Sequence, residues 1–518
     1  MTGTLALMGA GFINALSLMN IIAMAAGVTI GIVIGCLPGL SAAMGVALLL
    51  PLTFTMEPST GLIVLGAIYC GAIFGGSISA ILIHTPGTPA SAATAIEGYQ
   101  LTLQGKAGKA LGVSSVSSFF GGLLSCISLY FFAPILAKLA MKFGSPEYFW
   151  LSFFGLTIIA GVSSKSMVKG LISGALGLLI STIGMDPMMG VKRFMFGQSS
   201  LYEGINVTCA LIGLFSMSQA LILAEKKIKE RKHATKFSDK MLPTGSEMKM
   251  LAPTIGRSWI IGNLIGLLPG AGASIACFLG YNTARQFSNH KEDFGHGAIE
   301  GVAGSEAANN AVTGGSLIPM LTLGIPGESV TAVLMGGLII QGLTPGPDLF
   351  IGETAKMTYT FFAGFVLIQF LMLGIGLLGC RGFAQISRLS DAILIPAVSV
   401  LCVVGSFAIH KNFVDVVIMM IFGVLGYLIR KFDLNNAAVV LALILGPIGE
   451  KGLRRSLALS DGHIGILFST PVCWVLIILC ILGILSPIFM NKMEANALEK
   501  AGGDMPNETG DDPVLSSD

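Results

Sequence analysis

Apolar residues in this chain are grouped in long blocks. A helix that spans a bilayer needs about 20 of them in a row. Windows of that kind fall near 12–35, 60–83, 110–136, 147–163, 167–184, 203–224, 257–280, 300–323, 355–379, 391–409, 413–430 and 463–489. Shorter apolar pieces sit beside them at 40–54, 88–100, 272–281, 328–343 and 434–447. At about 10–16 residues these are too short to cross alone, so they read as half-helices or re-entrant segments, and about 10 to 13 spans are expected.

Composition agrees with an all-α polytopic membrane protein. Charged residues make up 11% and hydrophobic residues 53% of the 518, against roughly 25% charged in a typical soluble domain. The first 96 residues carry a single charge, Glu57. A net charge of +2 gives no footprint for nucleic acid, which needs clustered Lys and Arg. The apolar fraction excludes disorder, and the glycines lack a collagen period. No cleavable signal peptide is expected, because the N-terminus has no basic n-region. The nine cysteines stand singly inside apolar runs and read as small core residues.

One stretch breaks the apolar pattern. Between Glu225 and Arg257 nine Lys or Arg face four acids, and basic loops of this length stay cytoplasmic. The expected organisation is a membrane repeat over 1–224, a basic connecting loop over 225–257, a second membrane repeat over 258–490 and a disordered polar tail over 491–518. The word repeat rests on ordered matches. Ile30–Ala42 aligns without gaps on Ile261–Ala273 with eight of thirteen residues identical, Gly75-Gly76-Ser77-Ile78 matches Gly314-Gly315-Ser316-Leu317, and Gln104-Gly105 matches Gln341-Gly342. Gly174 and Gly177 are echoed by Gly423 and Gly426. Inverted repeats are the expected relation between the halves.

The repeated segments carry four Pro-Gly pairs: Pro38-Gly39, Pro86-Gly87, Pro269-Gly270 and Pro326-Gly327. Pro cannot continue the hydrogen-bond ladder, and Gly adopts backbone that other residues avoid. Each pair therefore ends one helix and lets another begin. Interrupted helices at matching places in two halves point to a transporter binding site. Hydroxyls follow each break: Ser41 after the first, Thr88 and Ser91 after the second, Ser274 after the third, Ser329 and Thr331 after Glu328 at the fourth. With Thr85 and the N–H groups of the new helix ends they are candidates to bind carboxylate, since a helix N-terminus carries about half a positive charge. No Lys or Arg lies in these motifs. Plain kinks with capping hydroxyls are the alternative.

Glu306, Asn309, Asn310 and Thr313 share a helical face by their spacing. Glu306 and Glu328 are candidates for cation or polar coupling, with Asn309 and Asn310 as polar contacts; a water-facing helix start after Arg285–His296 also fits the spacing. His84, before the second break, fits a site role or an interfacial position. Gly374–Gly379 matches a dinucleotide fingerprint literally but lies in an apolar span with no βαβ unit, so it reads as helix packing. No metallohydrolase, serine-hydrolase or nucleotide-binding-loop motif is present. An anion channel and, further off, an intramembrane enzyme are the alternatives to a transporter. No resident metal or cofactor is expected beyond a coupling cation, Na⁺ or H⁺.

At the two Leu-Pro-Gly breaks, and at Ile83–Pro89 and Leu323–Ser329, the chain resembles the large membrane subunit of tripartite tricarboxylate transporters, the TctA family. The resemblance runs from about residue 15 to residue 490. It implies a bacterial inner-membrane secondary transporter for citrate-like carboxylates, driven by an ion gradient. It also implies two partners: a small membrane subunit of four helices and a periplasmic solute-binding receptor.

Overall fold

The structure, a computed structural model, describes residues 2–162, 167–186, 188–225, 239–268, 270, 272–386 and 391–484. Pro269, six of the nine basic residues of the connecting segment and the tail 491–518 lie outside the described residues.

Helices follow one another almost without interruption. The first half contains α1 (Thr2–Ala15), α2 (Leu18–Cys36), α3 (Ala42–Leu49), α4 (Pro58–Ile83), α5 (Ala92–Leu103), α6 (Ala107–Ala140), α7 (Ser145–Val162) and α8 (Met167–Ser181). A small antiparallel pair, β1 (Gly184–Met185) and β2 (Lys192–Arg193), precedes α9 (Val207–Leu211), a π-helical turn at Ile212–Met217 and α10 (Ser218–Glu225). The second half contains α11 (Gly245–Leu267), α12 (Gly272–Phe287), α13 (Ile299–Gly315), α14 (Leu317–Leu323) and α15 (Ser329–Ile340). It continues with α16 (Gly352–Ile386), α17 (Asp391–His410), α18 (Phe413–Lys431), α19 (Asn436–Leu459) and α20 (Pro471–Ile484).

Among the described residues, eight helical stretches are long and apolar enough to cross a membrane: α2, α4, α6, α9–α10, α16, α17, α18 and α19. Three expectations change. The window at 257–280 is two helices, because α11 stops at Leu267 and α12 restarts at Gly272. The window at 300–323 is divided at Ser316 between α13 and α14. The piece at 434–447 is no half-helix but the start of the 24-residue α19, which runs on through Pro447. Its polar end is held by Arg193–Glu450 at 2.7 Å and Arg454–Glu450 at 3.1 Å, with Arg454 also paired to Asp186. Ion pairs at the helix end lower the local hydropathy without ending the helix.

Close glycine crossings set the packing. A Cβ on Gly31 would lie 2.5 Å from the Ile68 carbonyl oxygen, and one on Gly35 2.3 Å from that of Ala72, so α2 lies directly on α4. α11 lies on α13 in the same way, with Gly262 against the Ala308 carbonyl. Small residues at such spacings let backbones approach. Within each pair the numbering rises together, so the two helices run the same way. α4 and α13 cross antiparallel, Ser77 meeting Glu306 at 2.6 Å and Tyr69 meeting Ser316 at 3.2 Å. The ends of the halves are exchanged: α19 packs on α7 and α8, while α9–α10 pack on α17 and α18. Lys169, at the start of α8, pairs with Asp433, just past the end of α18, at 3.5 Å, so these two helices point in opposite directions.

The described part of the connecting segment is tied to the start of α6. Asp239 accepts from the N–H groups of Gly108 and Lys109, both at 2.8 Å, and Lys109 Nζ reaches both Glu247 oxygens at 2.7 Å. Glu247 also accepts from the Thr244 N–H, in a capping box that opens α11. The Lys109 ammonium, assisted by that N–H, lowers the Glu247 carboxyl from its ordinary 4.5 to about 2. A carboxyl lowered on folding stabilises fully above its unfolded value, and the contribution is lost as pH falls towards the folded value. Glu247→Gln should therefore lower the thermal midpoint most at about pH 6, and the deficit against wild type should shrink at about pH 3. Thermal unfolding in detergent at both pH values checks this.

Candidate functional site

In each half the two helix breaks lie against one another. α2 ends at Cys36, the chain turns at Gly39 (φ 93°), and the Ser41 hydroxyl caps α3 by accepting from the Met44 N–H at 3.2 Å. α4 ends in a left-handed residue, His84 (φ 55°), whose ring rests on Tyr99. The chain then doubles back, and the Gly87 N–H reaches the Gly76 carbonyl at 3.1 Å. A Cβ on Gly87 would lie 1.9 Å from the Gly35 carbonyl oxygen. The second half repeats the pattern: Gly270 has φ 86°, Gly324 has φ 69°, and a Cβ on Gly327 would lie 2.5 Å from the Gly266 carbonyl oxygen. The Gly270 N–H bonds directly to the Gly327 carbonyl at 2.5 Å. Left-handed backbone thus falls at Gly39, His84, Gly270, Gly272 and Gly324. Gly87 and Gly327 have ordinary φ, and it is the missing side chain that matters there.

Two buried carboxylates of the second half, Glu306 and Glu328, stand beside these breaks. Glu306 Oε1 accepts from Ser77 of α4 at 2.6 Å, from Thr94 of α5 and from the Asn309 amide at 3.4 Å; Oε2 accepts from Ser118 of α6 at 2.9 Å. Glu328 accepts from the Tyr69 hydroxyl and, at 3.0 Å, from the Ala273 N–H in the first turn of α12. Its own N–H donates to Thr331 Oγ1 at 3.0 Å. Neither carboxylate has a Lys, Arg or His partner among the described residues. An unpaired buried charge is expensive in a membrane, and multiple hydrogen bonds are what these sites provide.

A chain of polar contacts joins the two. Tyr69 meets Ser316 at 3.2 Å, Ser316 donates to the Thr313 carbonyl at 3.5 Å, and Thr313 donates to that of Asn310 at 2.6 Å. The Asn310 amide bonds Asn309 Oδ1 at 2.7 Å, and Asn309 returns to Glu306. Glu306, Asn309, Asn310 and Thr313 are all buried, so this face is not a water-facing helix start. Tyr69 and Ser77 are eight positions apart, which separates the two carboxylate sites by about 12 Å along α4.

The remaining candidates divide. Ser91 is buried and donates to the Thr88 carbonyl at 2.9 Å, whereas Thr88 Oγ1 is buried without a hydrogen-bond partner among the described residues. Ser274 and Ser329 are partly buried in the first turns of α12 and α15, and Thr85 is exposed. Spacing did not point to Tyr69, Ser77, Thr94 or Ser118, which are hydroxyls scattered along apolar helices, Ser118 within the serine-rich run Ser114–Ser118. It also missed Arg430, whose guanidinium bonds Gln219 Oε1, with Gln219 Nε2 3.6 Å from where a Cβ on Gly39 would lie. A cavity of about 580 Å³ elsewhere, lined by Asn14, Glu57, Glu353, Lys356 and Thr360 among others, contains none of the candidates.

Known proteins resemble this chain over most of its length. It is 37% identical over 500 residues, covering 95% of this chain and 98% of the relative, to an uncharacterized 52.8 kDa protein of Agrobacterium vitis named for the TAR-I ttuC′ 3′ region. A second Agrobacterium vitis protein, named for the TAR-II ttuC′ 3′ region, is 34% identical over 239 residues, 45% of this chain and 97% of its own length. No solved structure matches. Residues 21–441 match the model of the tripartite tricarboxylate transporter TctA family, a span that includes all four helix breaks and both buried carboxylates, and the chain belongs to that family.

Proposed function

We propose that this protein is the membrane subunit of a binding-protein-dependent secondary transporter that imports citrate-like tricarboxylates or related carboxylates, driven by an ion gradient. One observation carries the reading. At the third break a carboxylate, that of Glu328, is already held by a helix N-terminal N–H and a hydroxyl, with no basic side chain. The same chemistry suits a carboxylate substrate at the breaks, where Ser41, Thr85, Thr88, Ser91, Ser274, Ser329, Thr331, Asn309 and Asn310 supply hydroxyls and amides. Glu306 and Glu328 serve coupling.

We read the halves as inverted repeats, 1–224 and 258–490. Support comes from helix directions: the matching pairs α4 and α13, and α8 and α18, run opposite ways. Such repeats alternate access by moving one set of elements against another around a central site. Placing the basic segment 225–257 in the cytoplasm of a bacterial inner membrane orients the rest. Partners are a small four-helix subunit and a periplasmic receptor that delivers substrate.

Proteoliposomes containing the assembled system should take up labelled citrate, malate or succinate only with the receptor and an ion gradient. A conductance that persists without either would favour a channel, and conversion of the label into a new compound an enzyme. Gly87→Ala and Gly327→Ala should each abolish uptake, because the new Cβ meets a backbone carbonyl at 1.9 or 2.5 Å. Gly39→Ala meets nothing nearer than 3.4 Å, costs about 1–2 kcal/mol of backbone strain and should retain uptake. Wild-type rates in both of the first two variants would contradict the interlocked breaks.

A further inference from the structure

We infer that the coupling ion is a proton, and that Glu306 is the group that carries it. This rests on the transport reading above and narrows it to one ion and one side chain.

The geometry separates Glu306 from Glu328. Glu328 binds a fixed backbone N–H at the start of α12, an environment that favours an anion whatever else happens. Glu306 lies inside α13 and, among the described residues, accepts from side chains alone: the hydroxyls of Ser77 on α4, Thr94 in the first turn of α5 and Ser118 on α6, all of which can reorient, and the Asn309 amide of its own helix. Ser and Thr hydroxyls donate to a carboxylate and equally accept from a carboxylic acid. Thr94 has the alternative ready: its Oγ1 lies 2.9 Å from Ser305 Oγ, which in turn reaches the Gly301 and Val302 carbonyls at 3.1 Å. Adding a proton to Glu306 therefore requires only that hydroxyl hydrogens rotate.

The same contacts disfavour a metal cation at this position. The Asn309 amide is fixed by the Ala90 carbonyl, which accepts from Nδ2 at 2.8 Å, and by Asn310, which donates to Oδ1 at 2.7 Å. Its N–H group rather than its oxygen faces Glu306, and a cation needs lone pairs there. The titratable groups on α13 and the elements packed against it are Tyr69 and Cys70 on α4, Glu97 and Tyr99 on α5, Lys109, Cys126, Tyr130 and Lys138 on α6, Glu247, Lys249 and Arg257 on α11, Cys277, Tyr281 and Arg285 on α12, and Glu300 on α13. Cys277 is within electrostatic reach of Glu306. Glu97 is engaged elsewhere, by Tyr281 and the N–H groups of Gly295, Gly297 and Ala298, and Glu300 by Ser288. No Lys or Arg among these is paired or hydrogen-bonded to Glu306; Lys109 is held by Glu247 and Arg257 lies over the Phe287 ring.

The position also explains how a proton would be felt at the substrate site. Thr94 and the Ala90 carbonyl belong to the segment that starts directly after Pro86-Gly87, and both bond to α13 through Glu306 and Asn309. Hydrogen bonds to a charged carboxylate are roughly twice as strong as neutral ones. Losing the proton tightens α13 on this break, and gaining it loosens that grip.

The test uses the full chain in its assembled system, with labelled citrate, malate and succinate as probes and a trapped pH-sensitive dye. Wild type should accumulate substrate under an inward proton gradient and should move protons inward when substrate is added. Glu306→Gln mimics the protonated acid, so substrate counterflow should persist while gradient-driven accumulation and coupled proton movement disappear. Since coupling between sites typically corresponds to 5–150-fold, the drop in accumulation should be about tenfold or more. A merely structural role would lower counterflow equally. Full accumulation by Glu306→Gln overturns the proposal. So does wild-type accumulation under a sodium gradient with no proton movement, which would leave the transport reading intact. If Glu306→Gln fails to reach the membrane, the wild-type proton measurement decides. A wild type that moves none of the three carboxylates removes the transport reading and this one with it.

Discussion

Backbone polar groups within a bilayer must find partners inside the protein, and this chain interrupts its helices four times where that rule is hardest to meet. The solution is to press the interruptions together in pairs. Gly87 lies on the carbonyl of Gly35 and Gly327 on that of Gly266, so each break covers the other, and Gly270 bonds directly to Gly327. The contacts leave no room for side chains. They in turn fix where α3, α5, α12 and α15 begin, and so where their N-terminal N–H groups point. The long helices serve this arrangement: every residue in the apolar stretch of α4 is buried, because α2, α16, α5, α6 and α13 pack around it.

The halves share this scaffold and differ in what they place on it. Glu328 occupies the position that Thr88 holds in the first half, and Glu306 the position of Ala67. Both acids therefore belong to the second half, yet their partners are mostly in the first: Ser77, Thr94 and Ser118 for Glu306, Tyr69 for Glu328. The buried polar contacts are thus an interface between halves rather than the core of either. At Thr88 the shorter side chain leaves a buried hydroxyl without a partner among the described residues, where the other half has a carboxylate satisfied by a helix end.

How much of this could be read from the residues alone follows from what leaves a local trace. Pro-Gly pairs inside apolar runs do, and so does the three-and-four spacing of Glu306, Asn309, Asn310 and Thr313, because both are statements about neighbouring residues. Ser77, Thr94, Ser118 and Tyr69 leave none, since hydroxyls are common in apolar helices, Ser118 being one of four serines within Ser114–Ser118, and only the fold brings these four to two carboxylates. Arg430 was hidden for a different reason: at the end of an apolar helix a cation reads as a cap for the last carbonyls, and its contact with Gln219 crosses between halves. The reading of 434–447 as a half-helix failed because the apolar run stops short of Glu450, Lys451, Arg454 and Arg455 while the helix itself continues to Leu459. There Pro447 stays within a helix packed between α7 and α8, and no second break covers it.

The two carboxylate sites stand at different depths, about 12 Å apart along α4. On the transport reading, the Glu306 site and its adjoining breaks lean towards the basic segment, and the Glu328 site towards the opposite face. The substrate region then lies between two interruptions that can be held or released separately, one by an acid that a proton can neutralise and one by an acid fixed at a helix end. The exchange of α19 with α9–α10 limits how the halves can move, because each ends on helices of the other. Sliding the halves apart would strip both exchanged packings at once. The motion compatible with this structure is therefore a local one, of the short helices next to the breaks against the long helices that stay interlocked.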